Sequence, residues 1–407
     1  MEVIDLSRKL KIAIVLDRFL PSRGGENYFS WLAKELSRRG HEVHVFATKA
    51  ENIHETEYQV HLIPVWRYPR SLRLLCLLFQ SSRAVRSYDF DIIHGVEGGL
   101  IMNIFNPHGG VEQAYLKQEF LSIPNRGYCL YKFLKRYLFP YHYLKIWIQK
   151  RQYLSKRVKR IIAISQMVKK DIIKYYRVPE QKIMVIFNCV DLERFHPRNR
   201  EIYRNAKRMA LGINPETLLL IFVGNNYRLK GVGSLLRAMA ILKKQFPNLP
   251  FRLLILGRGQ RRRYMRLAKR VGVLDLTLFL GSVGEIEQYY AASDIYVHPT
   301  FYDSCSLTVL EALASGLPVI TSRFNGAAEI ILSDEGGRVI EDPADAENLA
   351  ESIAYFFDEN RRSKVRIIVR QWVEKYSLAY HIGEILRVYY EVSGGGEFQI
   401  SGNKTGI

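Results

Sequence analysis

Cysteine is scarce here and shows no pairing pattern. The four cysteines, Cys76, Cys129, Cys189 and Cys305, are widely scattered and form no CxxC. That argues against a disulfide framework or a cysteine zinc site and points to a reducing compartment. Long apolar runs are also missing. The one in MEVIDLSRKLKIAIVLD stops at Asp17, too short for a signal peptide or a membrane span. The expectation is a protein made and kept in the cytoplasm. Acidic residues are absent from Phe120 to Lys170. Of the net charge of +20, residues 1–195 supply most, with 32 Lys/Arg against 18 Asp/Glu. Such a bias implies a polyanionic partner, either nucleic acid or an anionic membrane surface.

The 407 residues exceed one ordinary core, and 48% are hydrophobic, so two packed domains are expected. Two series of strands alternating with helices are legible. KIAIVLD, HEVHVFAT, DFDIIHGV, GLIMNIFNPHGG, RIIAIS and KIMVIFNCV form the first. LLLIFVG, FRLLILGRG, LTLFLGSV, DIYVHPT, LPVITS and GGRVIE form the second. Short β-branched runs separated by helices imply parallel sheets covered on both faces, an α/β doubly wound class. DLERFHPRNREIYRN reads as a linker, placing one domain at 1–195 and another at 196–374. A last helix near 375–393 and a disordered tail at 394–407 follow.

In such sheets ligands bind beyond the carboxyl ends of strands, so loops there are the candidate site. Gly24-Gly25 follows the first strand and precedes a helix, an arrangement suited to an anion or to a plain tight turn. It is not GxGxxG, and no acid ends HEVHVFAT, which counts against an NAD site. His108 ends a strand in NPHGG. In FVGNNYRLKG, Arg228 and Lys230 precede a helix as cations suited to a diphosphate, without the Walker spacing. In HPTFYDSCSLTVLEALASGLPVI, Glu311 lies on the stripe Leu307, Leu310, Ala314, which reads as the buried face of a helix. A buried carboxylate needs donors, either a structural cation or ligand hydroxyls. Asp303 lies eight residues earlier, about 12 Å away along a continuous helix at ~1.5 Å per residue. The pair cannot share one metal but could clasp two ends of an extended ligand, with the N–H groups of Ser304, Cys305, Ser306 and Leu307 facing phosphate between them. DFD (89–91) has the form of a metal-binding DxD, but it opens its strand, opposite the ligand crevice.

These residues, in this order, resemble family 4 glycosyltransferases of the GT-B fold. GGENYFSWLAKELSRRGHEVHVF, IIAISQMVKKDIIKYY, VIFNCVDLERF, FVGNNYRLKG, LILGRG, GSVGEIEQYYAASDIYVHPT and DSCSLTVLEALASGLPVI carry the likeness. The last is similar to the family's E-x7-E element with Asp303 in place of the first Glu, and it looks most like lipopolysaccharide-core glucosyltransferases. The resemblance implies two Rossmann-like domains facing a cleft, and a retaining transfer of a hexose, glucose from UDP-glucose, to a lipid-linked acceptor such as a core heptose. Another surface glycan, or the UDP-sugar epimerase reaction of the same fold, stays open. It implies no cofactor and no metal. It places Glu311 on the ribose hydroxyls, Asp303 by the donor sugar and Lys230 on the diphosphate. Arg228 stands in for an arginine expected at Asn225. Gly25, Gly257, Val283 and the Ser304–Leu307 segment join the donor side, and His108 the reacting centre. The aromatic and basic residues of 125–160 then suit an anionic membrane surface or a phosphate-rich acceptor; no nucleic-acid motif accompanies them.

Overall fold

The computed structural model describes residues 8–20, 24–51, 57–66, 69–123, 127, 130–131 and 141–394, with Gly24–Asn27 by backbone alone. Cys129, most of 124–140 and the expected tail from residue 395 lie outside these. The first sheet has seven strands: β1 Lys11–Val15, β2 Glu42–Ala47, β3 Gln59–Leu62, β4 Ile92–Gly95, β5 Ile104–Phe105, β6 Arg160–Ala163 and β7 Ile183–Val185. Their order is β3-β2-β1-β4-β5-β6-β7, all parallel. The second has six: β8 Leu218–Val223, β9 Phe251–Leu256, β10 Thr277–Gly281, β11 Ile295–His298, β12 Val319–Ser322 and β13 Gly337–Ile340. It runs β10-β9-β8-β11-β12-β13, again all parallel. Each sheet reverses its winding beside its first strand, and ligands bind at such switch points in doubly wound folds. The chain therefore has the two Rossmann-like lobes that the alternation implies.

Helices on both faces explain why strands such as KIAIV and LLLIFV are apolar on both sides. Around the first sheet lie α1 Gly24–Arg38, α2 Arg70–Arg86, α3 Glu112–Leu121, α4 Tyr141–Tyr153 and α5 Gln166–Tyr176. Around the second lie α6 Asn199–Ala210, α7 Val232–Gln245, α8 Arg261–Arg270, α9 Ile286–Ala292, α10 Leu307–Ala314, α11 Ala346–Ala354 and α12 Glu359–Glu374. Helix α7 buries Val232, Leu235, Leu236, Met239 and Leu242, spacing that keeps one apolar stripe on the core. The final helix, α13 Leu378–Gly394, returns to the first lobe. Its Ile382, Ile385, Val388 and Tyr389 share a core with Ile12, Ile14, Phe29, Leu32 and Val45.

Two local expectations change. Gly24 and Gly25 form the first turn of α1 rather than a loop before it. The expected linker contains α6, which is anchored by charge instead of an apolar stripe. Arg200, Arg204 and Arg208, four residues apart, all reach the buried Asp294, at 3.0, 2.8 and 2.6 Å. Asp91 of DFD is structural: it accepts the Lys11 N–H (2.8 Å) and pairs with Arg8 (2.6 Å).

Candidate active site between the lobes

The loops leaving β5 and β6 in the first lobe meet the loop leaving β11 in the second. Ser304 Oγ donates to the His108 carbonyl (2.9 Å), and Ser165 Oγ donates to the Ser304 carbonyl (2.8 Å). The Val111 N–H donates to the Tyr302 hydroxyl (3.2 Å), and Asn188 Nδ2 to the Cys305 carbonyl (2.8 Å). Gly110 makes this approach feasible. At φ +79° it occupies the left-handed region, and a Cβ there would sit 2.2 Å from the Tyr302 hydroxyl. Glu329 adds a further tie by accepting the N–H groups of Gln166 and Met167 at the start of α5 (2.8 and 2.6 Å).

Asp303 lies at the centre of this seam. Its Oδ2 is 2.5 Å from Lys230 Nζ and 3.5 Å from His298 Nε2. Burial pushes its pKa up, but the Lys230 charge and His298 outweigh that and hold the carboxyl well below the usual range. Lys230 also donates to the Tyr302 carbonyl (3.2 Å). The turn that delivers Lys230 depends on Gly231, at φ +74°, where a Cβ would lie 1.9 Å from the Pro299 carbonyl oxygen. His298 is buried neutral: burial lowers its pKa, and its Nδ1 meets the Tyr296 hydroxyl at 3.0 Å.

His108 stacks on Tyr28 of α1 at 5.1 Å between ring centroids and meets Phe29 edge-on at 5.2 Å. Burial lowers its pKa to about 4, with Asn188 and the Asp303 charge opposing only in part. The ring is neutral at neutral pH, and its Nε2 is buried with no hydrogen-bond partner among the described residues. The Tyr28 hydroxyl meets His381 of α13 at 2.8 Å, so the last helix braces the ring's neighbour.

Glu311 departs from the simple buried stripe. Leu310 and Ala314 are fully buried, but Glu311, Leu307 and Thr308 form a half-open edge of α10. Among the described residues no cation pairs with Glu311, so the structural-cation solution is not the one used. Its Oε2 accepts the Tyr290 hydroxyl (2.9 Å), and the nearby Arg194 is bound to Glu287 (2.8 Å). Burial raises the Glu311 pKa to about 7, only partly opposed by Tyr290 and the Arg194 charge. A carboxylate with one protein donor retains acceptor capacity for ligand hydroxyls.

Other expectations are redirected. Arg228 does not stand at the Lys230–Asp303 pair. Its guanidinium bonds Glu119 Oε1 (2.6 Å) and the Glu119 carbonyl (2.8 Å) of the first lobe. Asn225 uses its side-chain oxygen to accept the Arg258 N–H (2.6 Å). The Ser306 N–H is occupied by Asn325 Oδ1 (3.2 Å), so it does not join an open row of phosphate donors. Cys305 is buried and its thiol pKa is raised by burial. Gly257 packs on Gly224 and accepts the Tyr227 hydroxyl (2.7 Å), while Val283 is half-buried against the core of the second lobe. Tyr290, His298, Tyr302 and Glu119 were not singled out from sequence. Each acts through a partner distant in the chain or through a hydroxyl with no distinctive spacing.

Beside the seam lies a cavity of about 450 Å³ between α2 and α4, with Gly109 and Gly110 in its wall. Arg18, Arg70, Arg73 and Lys145 line it against Asp17 and Glu97. Arg73 is held by Asp17, and Lys145 by Glu112 at 2.9 Å. Among the described residues, no group of three or more His, Cys, Asp or Glu could hold a metal ion.

Known proteins resemble the chain over most of its length. Residues 22–194 match the family model Glycosyltransferase Family 4, and residues 204–372 match Glycosyl transferases group 1. The lipopolysaccharide glucosyltransferase WaaG of Escherichia coli is 23% identical over 347 residues, 84% of this chain and 87% of that protein. A D-inositol 3-phosphate glycosyltransferase of Saccharomonospora viridis is 29% identical over 246 residues, 57% of this chain and 55% of its own. Among solved structures, that of WaaG superposes with TM-score 0.78 at 22% identity, covering 93% of this chain and 99% of that one. Anabaena HepE, solved with UDP and glucose, superposes with TM-score 0.70 at 16% identity, covering 93% and 99%.

Proposed function

On the premise that this chain is a glycosyltransferase of the GT-B fold, moving a sugar from a nucleotide-sugar donor to an acceptor, we propose that it transfers glucose from UDP-glucose, with retention and without a metal, to a lipid-linked acceptor of the lipopolysaccharide-core type. The observation that carries this reading is the Lys230–Asp303 pair at the lobe seam, beside the orphaned ring nitrogen of His108. Lys230 neutralises charge growing on the departing diphosphate, while ionised Asp303 accepts hydroxyls of the donor sugar. His108, neutral, donates from Nε2 to a sugar hydroxyl. Glu311, once deprotonated, accepts the two ribose hydroxyls. Gly25 in the first turn of α1, Gly257, Val283 and the backbone of Ser304–Leu307 shape the donor pocket around them. Closure of the seam excludes the water that would hydrolyse the donor. Similarity to WaaG, a lipopolysaccharide glucosyltransferase, favours the donor and acceptor classes.

The acceptor occupies the cavity between α2 and α4, whose four cations suit a phosphorylated glycan. Outside that cavity, α4 exposes Tyr143 and Trp147 beside Lys150 and Arg151, with the Arg151 guanidinium 5.0 Å from the Trp147 ring. An amphipathic basic-aromatic face of this kind docks at an anionic bilayer, so the enzyme works peripherally at the cytoplasmic leaflet. Among the described residues no helix is long and apolar enough to cross a membrane. The test is a screen of UDP-, GDP- and ADP-sugars against lipopolysaccharide cores ending in heptose, with and without chelator. UDP-glucose-dependent glucosylation that survives chelation is the expected result. Preference for another donor, or loss of the rate in chelator, would overturn it.

A further inference from the structure

Helix α8 reads RRRYMRLAKR, with six cations and no acid. Arg261, Arg262 and Arg263 occupy its first turn, where the helix dipole disfavours positive charge. Arg262, Arg266 and Arg270 follow at steps of four and repel one another. Packing does not require this, because the buried residues of the helix are Tyr264 and Ala268. Facing α8, helix α7 presents Arg237. Between the two helices lies a cavity of about 480 Å³ lined by Arg237, Arg263, Arg266 and Arg270, with no acidic residue in its wall among the described residues.

Arginines elsewhere are neutralised: Arg194 by Glu287, Arg160 by Glu391, and Arg200, Arg204 and Arg208 by Asp294. The four cavity arginines make no ion pair among the described residues. Their contacts are long ones to neutral oxygens, Arg263 to Gln260 and Arg266 to the Arg262 carbonyl, both 3.4 Å. Arg228 also reaches the cavity wall but is committed to Glu119 and Ser122. Leu121 and Ser122 of the first lobe close one side, so an occupant touches both lobes.

Guanidiniums gathered from two helices around one concavity, without a counter-charge, are a cost that an anion removes. Each planar fork matches a pair of phosphate oxygens. We infer that this cavity binds a ligand carrying at least two phosphoryl groups, at a site separate from the Lys230–Asp303 seam, and that its binding favours the closed lobes by packing the arginine walls against the Leu121–Ser122 wall of the first lobe. Soluble polyphosphate esters and phosphates borne on a lipid headgroup share this chemistry.

The test is calorimetric titration of the full chain with inorganic tripolyphosphate at near-physiological ionic strength, with saturating UDP to fill the donor site. One site per chain is expected. The combined variant Arg237→Gln, Arg266→Gln, Arg270→Gln should weaken it by at least about thirtyfold, since each lost charge-assisted contact is individually large. That variant relieves repulsion, so its melting temperature should equal or exceed that of the parent, which separates lost binding from lost folding. Absence of binding in the UDP-saturated parent, or equal affinity in the variant, would overturn the inference. A second arm adds vesicles containing a lipid with two phosphates. Displacement of tripolyphosphate assigns the ligand to a lipid headgroup, and undisturbed binding assigns it to a soluble ester.

Discussion

Replacing Glu311 with glutamine should stabilise the protein and impair it as an enzyme. Burial holds the Glu311 pKa at about 7, against an ordinary glutamate value of 4.5. The folded state therefore keeps a proton that the unfolded chain releases. Between those two values folding binds more protons, so stability falls as pH rises and levels off above about 7. The full shift corresponds to about 3 kcal/mol at about 1.36 kcal/mol per pKa unit. Solvent at the half-open edge of α10 screens part of this, leaving about 1–2 kcal/mol. Glutamine keeps an acceptor for the Tyr290 hydroxyl and removes the ionisation. At about pH 5 the two proteins should melt together; above about pH 8 the variant should melt higher by roughly 2–4 °C per kcal/mol. The assay is scanning calorimetry across that range at constant ionic strength, with and without UDP. UDP should raise the melting temperature of the parent at high pH and that of the variant much less, because a charged acceptor for the ribose hydroxyls is worth about 1.5–3 kcal/mol. A variant that melts lower at high pH, or by a pH-independent margin, would refute the account. Its carboxylate would then be ionised and paired at all pH values.

Two further perturbations probe the lobe seam. Gly110→Ala forces a Cβ towards the Tyr302 hydroxyl, so transfer should fall at least about tenfold while UDP affinity, read by calorimetry, changes little; unchanged transfer would remove Gly110 from closure. Arg228→Ala and Glu119→Ala should each lower transfer, and the double variant should cost little more than either alone, a coupling of about 1–3 kcal/mol in a double-mutant cycle. Additive losses would instead return Arg228 to the diphosphate.

The winding of both sheets follows from their apolar runs, and the site loops follow from the rule that strands present ligands at their carboxyl ends. Lys230, Asp303, Ser304 and His108 each stand just past such a strand, and the structure brings them together at the seam. The Arg228–Glu119 bond was not legible because the two residues are 109 apart in the chain, and a cation in a loop carries no mark of which anion it meets. Helix α6 was hidden because a helix usually declares itself by apolar period. Here the period is carried by Arg200, Arg204 and Arg208, all converging on Asp294 from a different element. The open edge at Glu311 was illegible for a related reason. The stripe of α10 predicts which residues share a face, but only the neighbouring Tyr290 shows how far that face is covered.

Helix α13 sets the order in which the protein can be completed. Its Ile382, Ile385 and Val388 fill the core built by β1, β2 and α1, and its His381 meets Tyr28, which stacks on His108. The first lobe leaves the ribosome first yet lacks part of its own interior until the last described turns of the chain have been made, whereas the second sheet and its helices are already complete. A nascent chain stopped before Leu378 would hold a finished second lobe beside a first lobe with an open apolar groove. Completion of that core therefore waits for α13, and a chain stopped before it exposes an apolar groove that favours aggregation.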